Sequence, residues 1–250
     1  MISPLPIDPA IGWGTDVKRR HPLEATPSER LQIIAGESIA PVDPARAIRA
    51  LKRADPRLAR VIETTVRYEV RPTTWTPFQA LFRAIVYQQL SGKAASTILG
   101  RVIALFPGRE FPSPEDIVAA AEEQLRSAGL SRNKVLAVKD LAARALDGTV
   151  PERDQMNQMS DEEIIERCTA VRGIGRWTVE MMLIFHLARP DVLPVDDLGV
   201  RKGAMRLYRL RKLPSPERLA KIAEPWRPWR SVGSWYMWRV MEMTGDQLPG

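Results

Sequence analysis

The residues whose types and spacing could do chemistry gather in one run, Ser160 to Gly203, SDEEIIERCTAVRGIGRWTVEMMLIFHLARPDVLPVDDLGVRKG. Glycines at both bends of Gly173-Ile174-Gly175 let the backbone turn tightly and present bare N–H groups, a geometry that captures an anion such as phosphate. A Gly-x-Gly between two helices also serves as a plain tight turn. Here Thr178 stands at the start of the second helix, where the dipole is positive, and Arg172 and Arg176 flank the turn with charge. Downstream, Pro190 and Pro194 stiffen the approach to Asp196 and Asp197. Adjacent helical residues point about 100° apart, so the two carboxylates cannot face one atom, and one of them is expected to be the helix cap. A carboxylate held at a helix N-terminus suits stabilisation of positive charge developing on a sugar.

Of seven tryptophans, Trp226, Trp229, Trp235 and Trp238 crowd the C-terminal segment beside Arg227, Arg230 and Arg239. Core packing accounts for most such residues, yet an aromatic face also stacks on an unpaired base, above all a cationic one. His21 and His186 form no cluster and receive no role. The single cysteine, Cys168, is expected to be buried on its helix, and one cysteine excludes both a disulfide framework and a four-cysteine zinc or iron-sulfur site within this chain. Lysine and arginine number 37 against 30 acidic residues, a net +7 with a pI near 9.8, which favours a polyanionic partner without establishing one. No apolar run approaches the length of a membrane span, and the start MISPLPIDPAIGWG lacks a basic segment followed by an apolar core. The expectation is a soluble, cytoplasmic protein.

The elements that must position these residues read as helices throughout. Residues 1–40, rich in proline and without period, form an irregular arm. Asp43-Pro44 and Asp55-Pro56 open two helices, and Thr76-Pro77 opens TPFQALFRAIVYQQLSG, which Ser91 and Gly92 break. KAASTILGRVIALFPG carries Ala95, Ile98, Leu99, Val102, Ile103 and Phe106 on one face. Ser113-Pro114-Glu115 caps a short helix, SAGLSRNK is a turn, and Val135, Val138, Leu141 and Leu146 mark the next helix. Ser160 with Glu163 is a capping box for the helix entering the glycine turn. Asp196-Asp197, Ser215-Pro216-Glu217 and RPWRSVGSWYMWRVMEM supply the remainder. No segment alternates with period two for long enough to make a sheet, so an all-α chain of about ten helices follows, without internal repeats.

Val171-Arg-Gly-Ile-Gly-Arg-Trp-Thr178 followed by LPVDDLGVRKG resembles the helix-hairpin-helix, Gly/Pro-rich loop and aspartate signature of the DNA base-excision glycosylases, and within them the 3-methyladenine DNA glycosylase II group. TPFQALFRAIVYQQLSGKAAS, LRSAGLSRNK and PWRPWRS also resemble segments of that group, so the likeness spans roughly residues 43 to 245. It implies two helical lobes with a cleft between them, in a domain of residues 41–250 with its hairpin at 160–187 and its catalytic loop at 190–198. It makes Asp197 the catalytic carboxylate, Gly173, Gly175 and Thr178 a DNA-phosphate grip, and Trp177 and Trp238 walls of a base pocket. Gln88-Gln89 falls on the loop that plugs the gap left by a flipped nucleotide, Gln89 being favoured as the plug, and the backbone carbonyls of Thr169, Val171 and Ile174 fall where a structural monovalent cation, Na or K, would bind.

Two departures carry information. Trp177 stands where bifunctional members, such as the endonuclease III group, place the lysine that forms a Schiff base, and the terminal iron-sulfur module of those members is absent. The resemblance therefore implies a monomeric, monofunctional glycosylase that needs no cofactor and acts on double-stranded DNA containing alkylated bases of the 3-methyladenine and 7-methylguanine type. Against it stand a non-catalytic helix-hairpin-helix DNA-binding module and a glycosylase for oxidised or mismatched bases. Electrostatic stabilisation by Asp197 and orientation of water by the same carboxylate both stay open at this point.

Overall fold

Prolines and short polar side chains decide where the helices begin. The computed structural model describes residues 42–243, so the arm of residues 1–40 and His21 lie outside the described residues. Helices α1 (Pro44–Ala54) and α2 (Pro56–Thr64) each start with proline at the first helical position, and Asp43 and Asp55 each accept two backbone N–H groups as caps. Thr76 with Gln79 boxes the start of α3 (Pro77–Tyr87), Ser91 caps α4 (Gly92–Ala104), and Ser113 with Asp116 boxes α5 (Pro114–Ala119). There follow α6 (Glu122–Ser127), α7 (Arg132–Leu146) capped by Ser131, and α8 (Arg153–Met156). Ser160 and Glu163 close the expected box on α9 (Asp161–Thr169), which leads to α10 (Arg176–Phe185). The last three are α11 (Leu198–Leu207), α12 (Pro216–Ala223) and α13 (Arg230–Glu242). Among the described residues there are thirteen α-helices and no strand. The additions to the sequence reading, α6 and α8, are too short to show a 3.6-residue period.

The chain folds as two compact units. One takes residues 42–74 and 173–243 of the described chain, the other residues 75–172, so the glycine turn is where the chain passes from the second to the first. In the first unit α13 is buried on almost every side, from Ser231 to Val240. Its close approach to α11 depends on Gly203, where a Cβ would lie 2.2 Å from the Met237 carbonyl oxygen. Gly233 does the same for Trp226, whose ring would meet a Cβ at 2.4 Å. The Trp226 N–H reaches Asp55 Oδ2 at 3.0 Å, and the Tyr208 hydroxyl donates to the same oxygen. A buried carboxylate is kept here because donors satisfy both its oxygens. In the second unit Phe78, Phe82 and Phe111 form an aromatic cluster, with Phe82 and Phe111 edge to face at 5.4 Å. Cys168 is fully buried, and that burial pushes its thiol up to about 12, so it packs as an apolar residue.

Of the four tryptophans in the C-terminal segment, Trp226, Trp229 and Trp235 are structural. Trp226 is bonded to Asp55, Trp229 lies under the Arg46 guanidinium, and Trp235 packs edge-on against Tyr68. No helix among the described residues is long and apolar enough to cross a membrane.

Replacing Gly203 by alanine should force α11 and α13 apart and lower stability by about 1–3 kcal/mol, the usual range for an overpacked contact. Thermal denaturation followed by circular dichroism checks this, and a melting temperature equal to that of the unmodified protein would contradict it.

Candidate active site

The turn before α10 is built differently at its two glycines. Gly173 takes φ +77°, a left-handed conformation that side-chain-bearing residues adopt only at a cost. Gly175 does not: it is extended at φ −99°, ψ 168°, so the turn itself requires only the first glycine, contrary to the expectation that both bends need one. At Gly175 a Cβ would meet nothing within 4 Å. What its missing side chain protects is the approach from outside to the first amides of α10, which no side chain caps. Val171 and Ile174 point inward and are buried, while Arg172, Gly173, Gly175 and Arg176 are exposed. The turn is moored on one side by Asp140, which accepts the Arg172 N–H at 2.7 Å and is itself paired with Arg144. Thr178 is half-buried and its N–H closes onto the Gly175 carbonyl at 3.0 Å. Thr169 is the last residue of α9, and Val171 and Ile174 are the buried residues of the turn that follows it.

The proline-bracketed loop is pinned to the start of α13. Arg230 grips both carboxylate oxygens of Asp191 at 2.7 and 2.9 Å, Arg227 adds a third contact at 2.7 Å, and the buried Ser231 hydroxyl joins Arg189 to Val192. These arginines, which the sequence sets beside the C-terminal tryptophans, position the loop. The loop ends at Asp197, the N-cap of α11, whose Oδ1 accepts the Val200 N–H at 2.7 Å. Asp196 points away and is exposed, whereas Asp197 is only 7% exposed.

Two indoles complete the surroundings of that carboxylate. Trp238 donates its N–H to Asp197 Oδ1 at 2.9 Å, and Trp177 donates to Oδ2 at 2.8 Å. Trp238 is 4% exposed and stacks on Phe185 with ring centres 5.5 Å apart and planes at 27°. Trp177 is 46% exposed, so one edge binds the carboxylate while its faces stay largely open. Gly199 lies against the group: a Cβ there would be 2.8 Å from Trp238 Cδ1 and 3.1 Å from Asp197 Oδ1. Asp197, Trp177 and Trp238 are thus brought together within the first unit. Gln88 and Gln89 belong to the second. There Gln88 ends α3, and the exposed Gln89 sits at φ +58°.

Phe185, Gly199, Asp140 and Lys134 were not visible as site residues in the sequence. Each acts through a contact distant in the chain, and only the Gly199 position, inside a helix and two residues after an aspartate, carries a local signal. His186, without a role in the sequence reading, is buried with Nδ1 2.8 Å from the Thr73 hydroxyl, a structural contact.

Residues 82–228 match the family model described as HhH-GPD superfamily base excision DNA repair protein. The chain belongs to this superfamily. It is 40% identical to DNA-3-methyladenine glycosylase 1 of Schizosaccharomyces pombe over 69% of this chain and 76% of that protein. A 3-methyladenine DNA glycosylase from the same yeast, solved in complex with abasic DNA, matches at 36% identity with a TM-score of 0.70, covering 80% of this chain and 98% of that one. A DNA-3-methyladenine glycosidase from Bacillus halodurans matches at 34% identity and a TM-score of 0.70, over 79% of this chain and 88% of that one.

Trp238→Phe keeps an aromatic ring against Phe185 but removes the N–H from Asp197. Hydrogen bonds to charged groups contribute about 1.5–3 kcal/mol, so urea unfolding should show a loss in that range. An unchanged midpoint and slope would mean that this bond does not hold the carboxylate in place.

Proposed function

We propose that this chain is a DNA glycosylase of base excision repair that releases alkylated bases, of the 3-methyladenine and 7-methylguanine type, by hydrolysing the N-glycosidic bond to leave an abasic site. The observation that carries the reading is Asp197, a buried carboxylate held by one amide and two indole N–H groups. A module that only bound DNA would have no use for such a group, since burying a carboxylate is costly unless it is fully bonded. The 3-methyladenine glycosylases named among its relatives support the same substrate class.

The surroundings of Asp197 favour electrostatic catalysis. Oδ1 already receives two donors and Oδ2 one, which keeps the charge fixed in place and leaves little acceptor capacity for a proton from water. A methylated purine carries positive charge and leaves readily, so the chemical demand is for a fixed negative charge beside the sugar as it becomes an oxocarbenium ion. Water then adds at the anomeric carbon and loses its proton to solvent. The open face of Trp177 offers a stacking surface for the cationic base, worth about 0.5–2 kcal/mol. A tryptophan cannot form a Schiff base, so the abasic product would not be cut by that route, and the enzyme would be monofunctional.

In the same reading Gly173, Gly175 and Thr178 hold a DNA phosphate at the uncapped start of α10, and Gln89, exposed beside Gln88, fills the space vacated by the extruded nucleotide. The carbonyls of Thr169, Val171 and Ile174 are hard oxygen donors of the kind that suit Na or K. Such an ion would add positive charge beside the phosphate. With a single cysteine in the chain, the chemistry would use no four-cysteine iron-sulfur cluster. The protein would act as a monomer on cytoplasmic DNA, held at the nucleoid in a bacterial cell.

Asp197→Asn should cut base release by about 10²–10³ or more while leaving duplex binding intact, because the amide can still cap α11 but carries no charge. The check is to incubate both proteins with alkylated, oxidised and uracil-containing duplexes and to analyse the freed bases. Release from the alkylated duplex alone is expected. Release only from the other duplexes, or full activity of the variant, would overturn the assignment. Gly175→Val, whose Cβ meets no protein atom within 4 Å, should weaken binding about tenfold on every sequence alike, since the grip touches only the backbone. A loss confined to particular sequences, measured by fluorescence anisotropy, would contradict it.

A further inference from the structure

The turn between α3 and α4 is held by a side chain from elsewhere in its unit. Lys134, on the first turn of α7, donates through Nζ to the Val86 carbonyl at 2.7 Å and the Gln88 carbonyl at 2.8 Å. The last carbonyls of a helix lack helical partners and are ordinarily satisfied by water or by a local turn. Here a half-buried ammonium from 46 residues away supplies the bond to Gln88. Its placement does not serve α7. A cation in the first turn opposes the helix dipole, and burial lowers the proton affinity of this lysine further. Ser131 Oγ accepts the Lys134 N–H at 3.4 Å, so the same cap that starts α7 also places the lysine.

The bond to Gln88 matters for the residue after it. The Gln88 carbonyl and the Gln89 nitrogen share one rigid peptide plane, so gripping that oxygen restricts ψ of Gln88 and φ of Gln89 together. Gln89 is the exposed residue at φ +58°, a conformation unfavourable for a side chain of its type. The neighbouring bond, Leu90 N–H to the Tyr87 carbonyl, is long at 3.3 Å.

We propose that Lys134 is a positioning residue for base extrusion: its ammonium fixes the Val86 and Gln88 carbonyls and so holds Gln89 projecting as the plug. This rests on the reading of Gln89 given above. The role proposed for Lys134 is to hold the loop through these two carbonyls, apart from any contact with DNA or the scissile bond.

The test uses the full chain and duplexes in which 2-aminopurine neighbours an alkylated base, with fluorescence reporting extrusion and single-turnover assays reporting base release. Lys134→Met should reduce extrusion and the maximal rate by about tenfold, as for loss of a bond to a charged group. Affinity for undamaged duplex should stay within about twofold, since the phosphate grip is elsewhere. Lys134→Arg, which retains donors, should recover most of the loss and guards against a folding defect in the methionine variant. Gln89→Ala should show the same loss, and the double variant should be no worse than Gln89→Ala alone. Full extrusion by Lys134→Met beside a defective Gln89→Ala would overturn the role of Lys134 and leave the plug standing. Full extrusion by Gln89→Ala would remove the plug and this proposal with it. Losses that multiply in the double variant would mean that Lys134 acts apart from Gln89, and would also overturn the proposal.

Discussion

A negative charge kept out of water must be satisfied at every oxygen, and the first unit is arranged around doing so for Asp197. The Val200 amide is available because the aspartate caps α11, Trp238 reaches it from α13, and Trp177 reaches it from α10. Each donor belongs to a different helix, so the position of the charge reports the packing of all three. Gly203 lets α11 come against the backbone of α13, and Gly199 leaves room for the Trp238 ring beside the carboxylate. Arg230 and Ser231, at the start of α13, draw in the loop that delivers Asp197. The burial that makes the charge useful is made tolerable by the same contacts that aim it.

The glycine turn works by the opposite means. It starts α10 without a capping side chain. The other helices that begin at a Ser, Thr or Asp cap cover their first amides with a side chain, whereas α10 begins at Gly175 with none. Asp140 moors the turn through the Arg172 amide, and buried Val171 and Ile174 root it, so the turn is held still while no side chain caps the start of α10. Rigidity with open donors is what an anion site requires.

Much of the helical plan was legible in the chain. Asp43-Pro44, Asp55-Pro56, Thr76-Pro77, Ser113-Pro114 and Ser215-Pro216 start helices as local capping chemistry requires, and Ser160 with Glu163 closes its box. Helices α6 and α8 escaped because they are too short for a periodic signal. At the candidate site the glycines, Thr178 and the paired aspartates were visible through type and spacing, and the preference for Asp197 came from resemblance. The two tryptophans were visible as aromatic residues, though not as donors: an indole was expected to offer its face, and here each offers its N–H.

By itself, the sequence determined the helix starts, the all-helical class, the turn with its basic flanks and the family to which the chain belongs. These follow from interactions among residues a few positions apart, which composition and spacing encode directly. Only the tertiary structure decided that Asp197 is buried and thrice bonded while Asp196 is exposed, that Phe185 backs Trp238, and that Arg227 and Arg230 hold Asp191. It also decided that Lys134 closes the turn before Gln89. Each of these is a contact between helices far apart in the chain, and no local pattern specifies which distant partner a donor will find until the helices have packed.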